Sequence, residues 1–579
     1  MSTLDADALY ARVSQWIAND PDPATQAEAR ALLALAKSGN ADAVARLSEA
    51  FSGRLEFGTA GLRAELGAGP RRMNRVVVAQ TSAGFAEFLL SRARSGATHT
   101  PPSVVIGYDG RVNSDVFARD VAEIMQGAGV QAILLPSPLP TPVTAFAVRH
   151  LAVSAGVMIT ASHNPPRDNG YKVYLGDGDG GSQIIAPSDA EIAAHIARIA
   201  ERPCGELPRS TDYRVAGVEI VEAYVAAAAA AIRADFESSD LRSTPTIVYT
   251  ALHGVGSETA RRVFAAAQLP AVIPVVDQDT PDGTFPTVAF PNPEEAGALD
   301  LAYATARIHG ADLIVANDPD ADRLAIAAPH AEEPSGYRRL SGNELGLLLG
   351  WRAAERAHRA SKGSAPRGTL ANTIVSSPAL GAVARHYGLE HAETLSGFKW
   401  VSRVPELVFG FEEALGYLTH PQVLRDKDGI LAAADAVVMA CELHASGRTV
   451  WDLIDEASDR FGYFASSQIV LRLESSTAVA TLTERIRQSP PESLGKVPVT
   501  RVRDYLNPGH ASVPANVLAY DLADGSRVMI RPSGTEPKLK TYLDVVSTHP
   551  DAAARRTAAG AALQRLEEAV HTFLQGMIE

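Results

Sequence analysis

Ser162, Asp318, Asp320, Asp322, Glu412, Glu413 and Arg531 are the residues of this chain whose types and spacing point to chemistry. Ser162 lies in the segment Thr160-Ala-Ser-His-Asn-Pro-Pro-Arg-Asp-Asn-Gly-Tyr-Lys172, just after the apolar run Ala155-Gly-Val-Met-Ile159. A free serine hydroxyl is a weak nucleophile near neutral pH, so it needs activation or must already carry the group it transfers. Asn164-Pro-Pro166 holds the loop tight, because proline fixes its own φ and restricts the residue before it. The plainer alternative is a turn serine that caps a helix. In Asp318-Pro-Asp-Ala-Asp-Arg323 the carboxylates alternate, so three of them can point at one hard cation such as Mg²⁺. An acidic surface turn would look similar, but no glycine or glutamate stands where an EF-hand loop needs one. Phe411-Glu-Glu-Ala-Leu-Gly416 offers paired acceptors for vicinal hydroxyls, or else a helix-capping acidic pair. Arg531-Pro-Ser-Gly-Thr-Glu-Pro-Lys538 combines a bidentate cation, the hydroxyls of Ser533 and Thr535, and a backbone that Gly534 opens to close approach. That combination suits a phosphate, and a plain β-turn is its alternative.

The elements that must position these groups are legible as short apolar runs ending in polar or glycine loops. Val104–Asp109, Ala132–Leu135, Ala155–Ile159, Thr246–Thr250, Asp312–Ala316 and Leu407–Phe411 are such runs, with helical stretches between them. They predict βαβ units with buried, mostly parallel strands, whose carboxyl ends carry function. The first three motifs each follow such a run. The first fifty residues predict helices, one of them starting at Asp22-Pro-Ala-Thr25, and Arg356–Arg367 predicts an exposed loop. Near residue 455 the pattern changes to alternating strands closed by a helix over 552–573, which predicts a smaller α+β domain. The expected domains are 1–205, 206–330, 331–455 and 456–579: N-terminal helices with a first α/β domain, two more α/β domains of mixed, mostly parallel sheets, and the α+β domain.

Taken together and in this order, the four motifs resemble those of the α-D-phosphohexomutase superfamily, from about Arg54 to Tyr542. The resemblance implies four domains around a central cleft and a phosphoryl group moved between two positions of a sugar through phospho-Ser162. It implies one Mg²⁺ per chain on Asp318, Asp320, Asp322 and the phosphoserine, and a sugar bisphosphate as intermediate and activator. Phe57-Gly-Thr-Ala-Gly-Leu-Arg63 matches the motif that places Arg63 near the phosphoserine, and Lys172 matches the proton-transfer residue. His163 is given a supporting role at the same site. Arg323 is placed on the transferred phosphate, and Ser396-Gly-Phe-Lys399 matches a specificity loop, with Gly397 and Lys399 as substrate contacts. Glu412 and Glu413 take the sugar hydroxyls, and Arg531, Ser533, Gly534, Thr535 and Lys540 take the non-reacting phosphate. Ala414 stands where the family usually has serine, and with Asp426-Lys-Asp-Gly429 this resembles the longer branch that includes phosphopentomutases. The implied reaction interconverts sugar 1- and 6-phosphates, glucose first and mannose next. A pentose 1-/5-phosphate mutase is the alternative. A phosphatase and a non-catalytic sugar-phosphate sensor are remoter.

Bulk properties agree with a globular enzyme. The 579 residues are 46% hydrophobic and 21% charged, with a net charge of −14. That balance argues against a nucleic-acid-binding surface, and small-molecule sugar phosphates are the expected partners. Two cysteines are too few for a disulfide framework or a cysteine zinc site, and a reducing cytoplasm is expected. No signal peptide is expected from Met1-Ser-Thr-Leu-Asp, and the alanine-rich run 223–232 is far shorter than the ~20 residues needed to span a bilayer.

Overall fold

The computed structural model describes residues 3–58, 61–234, 244–507, 509, 513–533 and 537–578. The chain divides into two compact units that alternate along it. The first holds Met1–Leu340, Phe398–Arg403 and Leu415–Ser446; the second holds Ser341–Gly397, Val404–Ala414 and Gly447–Glu579.

The first unit opens with three helices, Thr3–Asn19, Pro23–Lys37 and Ala41–Ala50. Asp22 caps the second, accepting from the Ala24 N–H with Pro23 in the first turn, as its sequence predicts. Leu9, Val13, Leu33 and Leu47 form their common core. The next α/β layer is a seven-stranded sheet. Its central strands Ala155–Ile159, Ser103–Tyr108 and Gln131–Leu134 run parallel, and Asp168–Leu175 joins antiparallel to Ala155–Ile159. These central strands are nearly all apolar because helices cover them, notably Arg75–Arg94 and Ser114–Gly127. A five-stranded sheet follows, with Ile247–Thr250 parallel to Leu313–Asn317, and Leu324–Pro329 antiparallel to the latter. The helix Gly429–Ala445, capped by Asp428, is buried along almost its whole length and packs on Gly256–Ala266 and Leu324–Pro329.

In the second unit Thr369–Thr373 pairs in parallel with Glu390–Thr394 and with Leu407–Glu412. A six-stranded sheet ends the chain, running Tyr463–Arg472, Lys538–Ser547, Arg527–Pro532, Leu518–Leu522, Val497–Asp504 and Ser493–Leu494. Helices Ser476–Gln488 and Ala552–Ile578 close its core. The fold class is therefore as the sequence predicts: α/β domains followed by a smaller α+β domain. One local expectation fails. Residues 356–360 are not loop but the end of the helix Gly342–Ala360. A capping box of Ser341 and Glu344 starts this helix, and alanines carry it through the charged stretch, whose charges line the exposed side. Among the described residues no single helix is long and apolar enough to cross a membrane.

Candidate active site

Ser162 follows the carboxyl end of Ala155–Ile159, in the turn that leads into Asp168–Leu175. Its φ is +51°, a left-handed value unusual for a residue with a side chain. The turn is tied down locally: Ser162 N–H donates to Thr160 Oγ1 at 2.8 Å, and Asn164 N–H donates to the Ala161 carbonyl. Ser162 Oγ donates to Asp318 Oδ2 at 2.6 Å and lies 3.2 Å from His163 Nδ1. Arg63 donates to Asn164 Oδ1 at 2.8 Å, so it stands on the same loop.

Asp318, Asp320 and Asp322 follow Leu313–Asn317 in a tight turn with Ala321 at φ +55°. All three carboxylates are buried, with oxygens within 4.8 Å of one another. Burial, reinforced by its two neighbours, pushes the Asp318 carboxyl well above the ordinary range. Burial also opposes ionisation of Asp320 and Asp322, but Lys172 outweighs it, with help from Lys427 at Asp322, and both are held below the usual range. Lys172 reaches from the strand Asp168–Leu175 to Asp320 Oδ2 at 2.7 Å and Asp322 Oδ2 at 2.8 Å. Burial works against the lysine's charge, yet these aspartates raise its pKa overall. Asp320 Oδ1 and Asp322 Oδ1 are buried without a hydrogen-bond partner among the described residues. Buried oxygens of this kind call for a partner, and a hard cation fits the donor set. Arg323 N–H donates to Asp318 Oδ1, and its guanidinium approaches Asp322 at 3.9 Å. Burial first, and then Arg323 and Arg63, lower the pKa of the half-buried His163 ring.

Three neighbours of this cluster were not assigned to it from the sequence, although Lys427 lies in the segment Asp426-Lys-Asp-Gly429 noted above. Thr141 Oγ1 donates to Asp320 Oδ2 at 2.6 Å. Lys427 Nζ lies 3.2 Å from Asp322 Oδ2 and 5.4 Å from the centre of the Phe398 ring. Gly254 lies so close to the aspartate loop that a Cβ there would sit 2.3 Å from Pro319 Cα. Gly254→Ala should therefore destabilise the protein by about 1–3 kcal/mol through overpacking against backbone. Gly178→Ala, in open space, is the control that should leave the melting temperature unchanged. Lys399 is buried, with Nζ 5.5 Å from the Trp400 ring centre, and Gly397 turns with φ +109°.

The second unit carries the remaining motifs. Glu412 ends the strand Leu407–Glu412 and Glu413 follows it. Ser376 Oγ donates to Glu413 Oε2 at 2.9 Å and accepts from the Glu413 N–H at 3.0 Å, and Thr373 Oγ1 stands 3.2 Å from the same carboxylate oxygen. Arg531 lies opposite Lys540 on neighbouring strands, and Ser533 N–H donates to the Lys538 carbonyl. Gly534 and Thr535 lie outside the described residues. Tyr542 joins the two motifs: burial raises its pKa, Glu413 and Glu412 add to the effect, and a hydrogen bond with Arg531 works against it. Neither Ser376 nor Tyr542 carries a local sequence signal.

The sequence matches phosphoglucomutase/phosphomannomutase alpha/beta/alpha domain I over residues 54–203, domain II over 222–331, domain III over 341–461 and the C-terminal domain over 494–562. The chain belongs to the phosphoglucomutase/phosphomannomutase family. It is 47% identical to a "Probable phosphomannomutase" of Haemophilus influenzae, over 83% of this chain and 95% of that one. It is 34% identical to a human "Phosphopentomutase", over 94% and 92% of the two chains. The solved phosphoglucomutase/phosphomannomutase family protein of Burkholderia thailandensis shares the fold, with a TM-score of 0.67 at 19% identity over 91% of this chain and 98% of that one. As a member of the phosphoglucomutase/phosphomannomutase family the chain is a sugar-phosphate mutase, an intramolecular phosphotransferase.

Proposed function

We propose that this mutase interconverts hexose 1-phosphate and 6-phosphate, glucose first and mannose next, with Ser162 as the phosphoryl carrier. The observation that carries the reading is the 2.6 Å hydrogen bond from Ser162 Oγ to the buried aspartate cluster. Asp318, Asp320, Asp322 and the Ser162 side chain would hold Mg²⁺, which when bound spreads the charge of the phosphoryl group in transit. Arg63, Arg323 and Lys172 place positive charge around the same phosphoryl oxygens. To accept the proton of the attacking sugar hydroxyl, Lys172 must first give up one of its own, a loss that its contacts with Asp320 and Asp322 oppose. Glu412 and Glu413 accept sugar hydroxyls, with Glu413 oriented by Ser376 and Thr373. Arg531, Ser533 and Lys540, with Gly534 and Thr535, hold the phosphate that is not reacting. Ser162 gives its phosphoryl group to the free hydroxyl of the monophosphate, and the bisphosphorylated sugar turns over and returns its other phosphate to Ser162. A sugar bisphosphate would therefore load an unphosphorylated enzyme.

A pentose 1-/5-phosphate mutase is the second reading. Ala414 favours it, and so does the similarity to phosphopentomutases along nearly the whole chain. Parallel assays with glucose, mannose and ribose 1-phosphates decide between them, with released inorganic phosphate followed at the same time. Faster turnover of ribose 1-phosphate overturns the hexose reading, and stoichiometric phosphate release overturns the mutase mechanism in favour of hydrolysis. Arg531→Ala should raise KM for both the 1-phosphate and the 6-phosphate, a loss of about 1.5–3 kcal/mol for a charge-assisted contact. Unchanged kinetics with both substrates would remove the phosphate-holding role from this loop.

A further inference from the structure

Arg111 follows the strand Ser103–Tyr108 and is almost wholly buried, with 3% of its surface exposed. Its guanidinium is committed to the serine loop. Nη2 donates to the carbonyls of Ser162 and Asn164, each at 2.6 Å, and Nη1 donates to those of Pro165 at 2.8 Å and Asp168 at 3.0 Å. The nearest carboxylate, Asp109 Oδ2, stands 3.6 Å from Nε. Asp109 Oδ1 meanwhile takes the Arg111 N–H and the Ser114 hydroxyl, which fixes the turn that carries the arginine. Burying a guanidinium is unfavourable unless its donors are satisfied. Here backbone carbonyls between Ser162 and Asp168 satisfy Nη1 and Nη2, a fork that lysine cannot reproduce, while Nε has only the charge of Asp109 near it.

The other face of Arg111 is stacked. Its Cζ lies 4.9 Å from the centre of the Phe285 ring. Phe285 has φ +50° and forms a small buried cluster with Leu252 and Val288. From there the contacts run to the aspartate loop. Asp282 N–H donates to the His253 carbonyl, Val255 N–H donates to the Pro319 carbonyl, and Gly254 lies against Pro319. Leu252 and His253 both have positive φ, at +48° and +60°, so this connection holds strained backbone in place. It reaches without a break from Pro319, beside Asp318, to the carbonyl of Ser162.

We infer that Arg111, stacked on Phe285, is the positioning residue that sets the height of Ser162 over the aspartate loop. The inference rests on the reading of Ser162 as the phosphoryl carrier. A misplacement near 1 Å costs about 100-fold in rate, so Arg111→Lys should lower kcat by about 100-fold. KM for the preferred sugar 1-phosphate should change by less than about threefold, since arginine touches no substrate. Guanidinium ion at millimolar concentration should restore part of the kcat of Arg111→Ala. Phe285→Ala should lower kcat alone by a smaller factor, and the Arg111→Lys/Phe285→Ala double variant should be no worse than Arg111→Lys, as expected for two members of one contact. Arg111→Lys with wild-type kcat overturns the inference. So does a loss of activity that tracks the folded fraction by circular dichroism without guanidinium rescue. Should the Arg111 variants fail to fold, wild-type kcat in Phe285→Ala overturns it equally. Ser162→Ala separates the two levels: activity there sinks the carrier reading itself, whereas an inert Ser162→Ala beside a fully active Arg111→Lys sinks only the positioning role.

Discussion

In Ser162→Ala, turnover of every sugar phosphate should fall by at least on the order of 10⁴-fold, the scale expected when a reacting nucleophile is deleted. The fold should survive the change. The loop is held through backbone atoms, the Ser162 N–H on Thr160 and the Ser162 carbonyl on Arg111, and alanine keeps both. The left-handed φ costs alanine about what it costs serine, roughly 1 kcal/mol, so it does not bear on the comparison. What disappears is the bond to Asp318, and with it the atom that carries the phosphoryl group. Intact mass should show a phosphorylated fraction of the wild type that maps to Ser162 and is missing from the variant. Residual turnover near the wild-type rate would mean that another group carries the phosphoryl.

Removal of divalent cations is the second large effect. A chelator should abolish turnover, and added Mg²⁺ should restore it. Chelation should leave the protein folded, because Lys172 and Lys427 already compensate much of the negative charge of the aspartate cluster. Mg²⁺ should nevertheless raise the melting temperature, since a ligand at 100 times its Kd stabilises the folded state by about 2.7 kcal/mol. Buried Asp320 Oδ1 and Asp322 Oδ1 are the oxygens that gain a partner. If neither turnover nor the melting temperature responds, the three aspartates serve only the structure.

What could be foreseen from the sequence follows a physical divide. The strands before Ser162, Asp318 and Glu412 are apolar runs of five or six residues bounded by loop residues, so both the run and the motif at its end are visible locally. Thr141 and Arg111 reach the site from positions with no pattern of their own, and Lys427 sits in a segment that resembles the longer branch without any sign of its contact with Asp322; only the packing of the first unit brings the three to Asp320, Asp322 and the serine loop. Ala414 illustrates the same limit. Its lack of a hydroxyl is plain in the sequence, but the hydroxyls that do touch Glu413 belong to Ser376 and Thr373, 37 and 40 residues away along the chain. Residues 356–360 failed for a different reason: a charged composition resembles a loop unless the helix start at Ser341 and Glu344 is weighed with it.

The alternation of the two units along the chain bears on synthesis. The first unit is incomplete until residue 446 has left the ribosome, because Gly429–Ala445 supplies part of its interior. Until then the apolar surface of Gly256–Ala266 and Leu324–Pro329 that this helix covers stays open, with more than one hundred residues still to be made after Leu340. A nascent chain paused in that interval presents the apolar surface that chaperones bind and aggregates grow from. A fragment ending at Leu340 would keep the serine and aspartate loops yet lack Lys427 and the helix behind them.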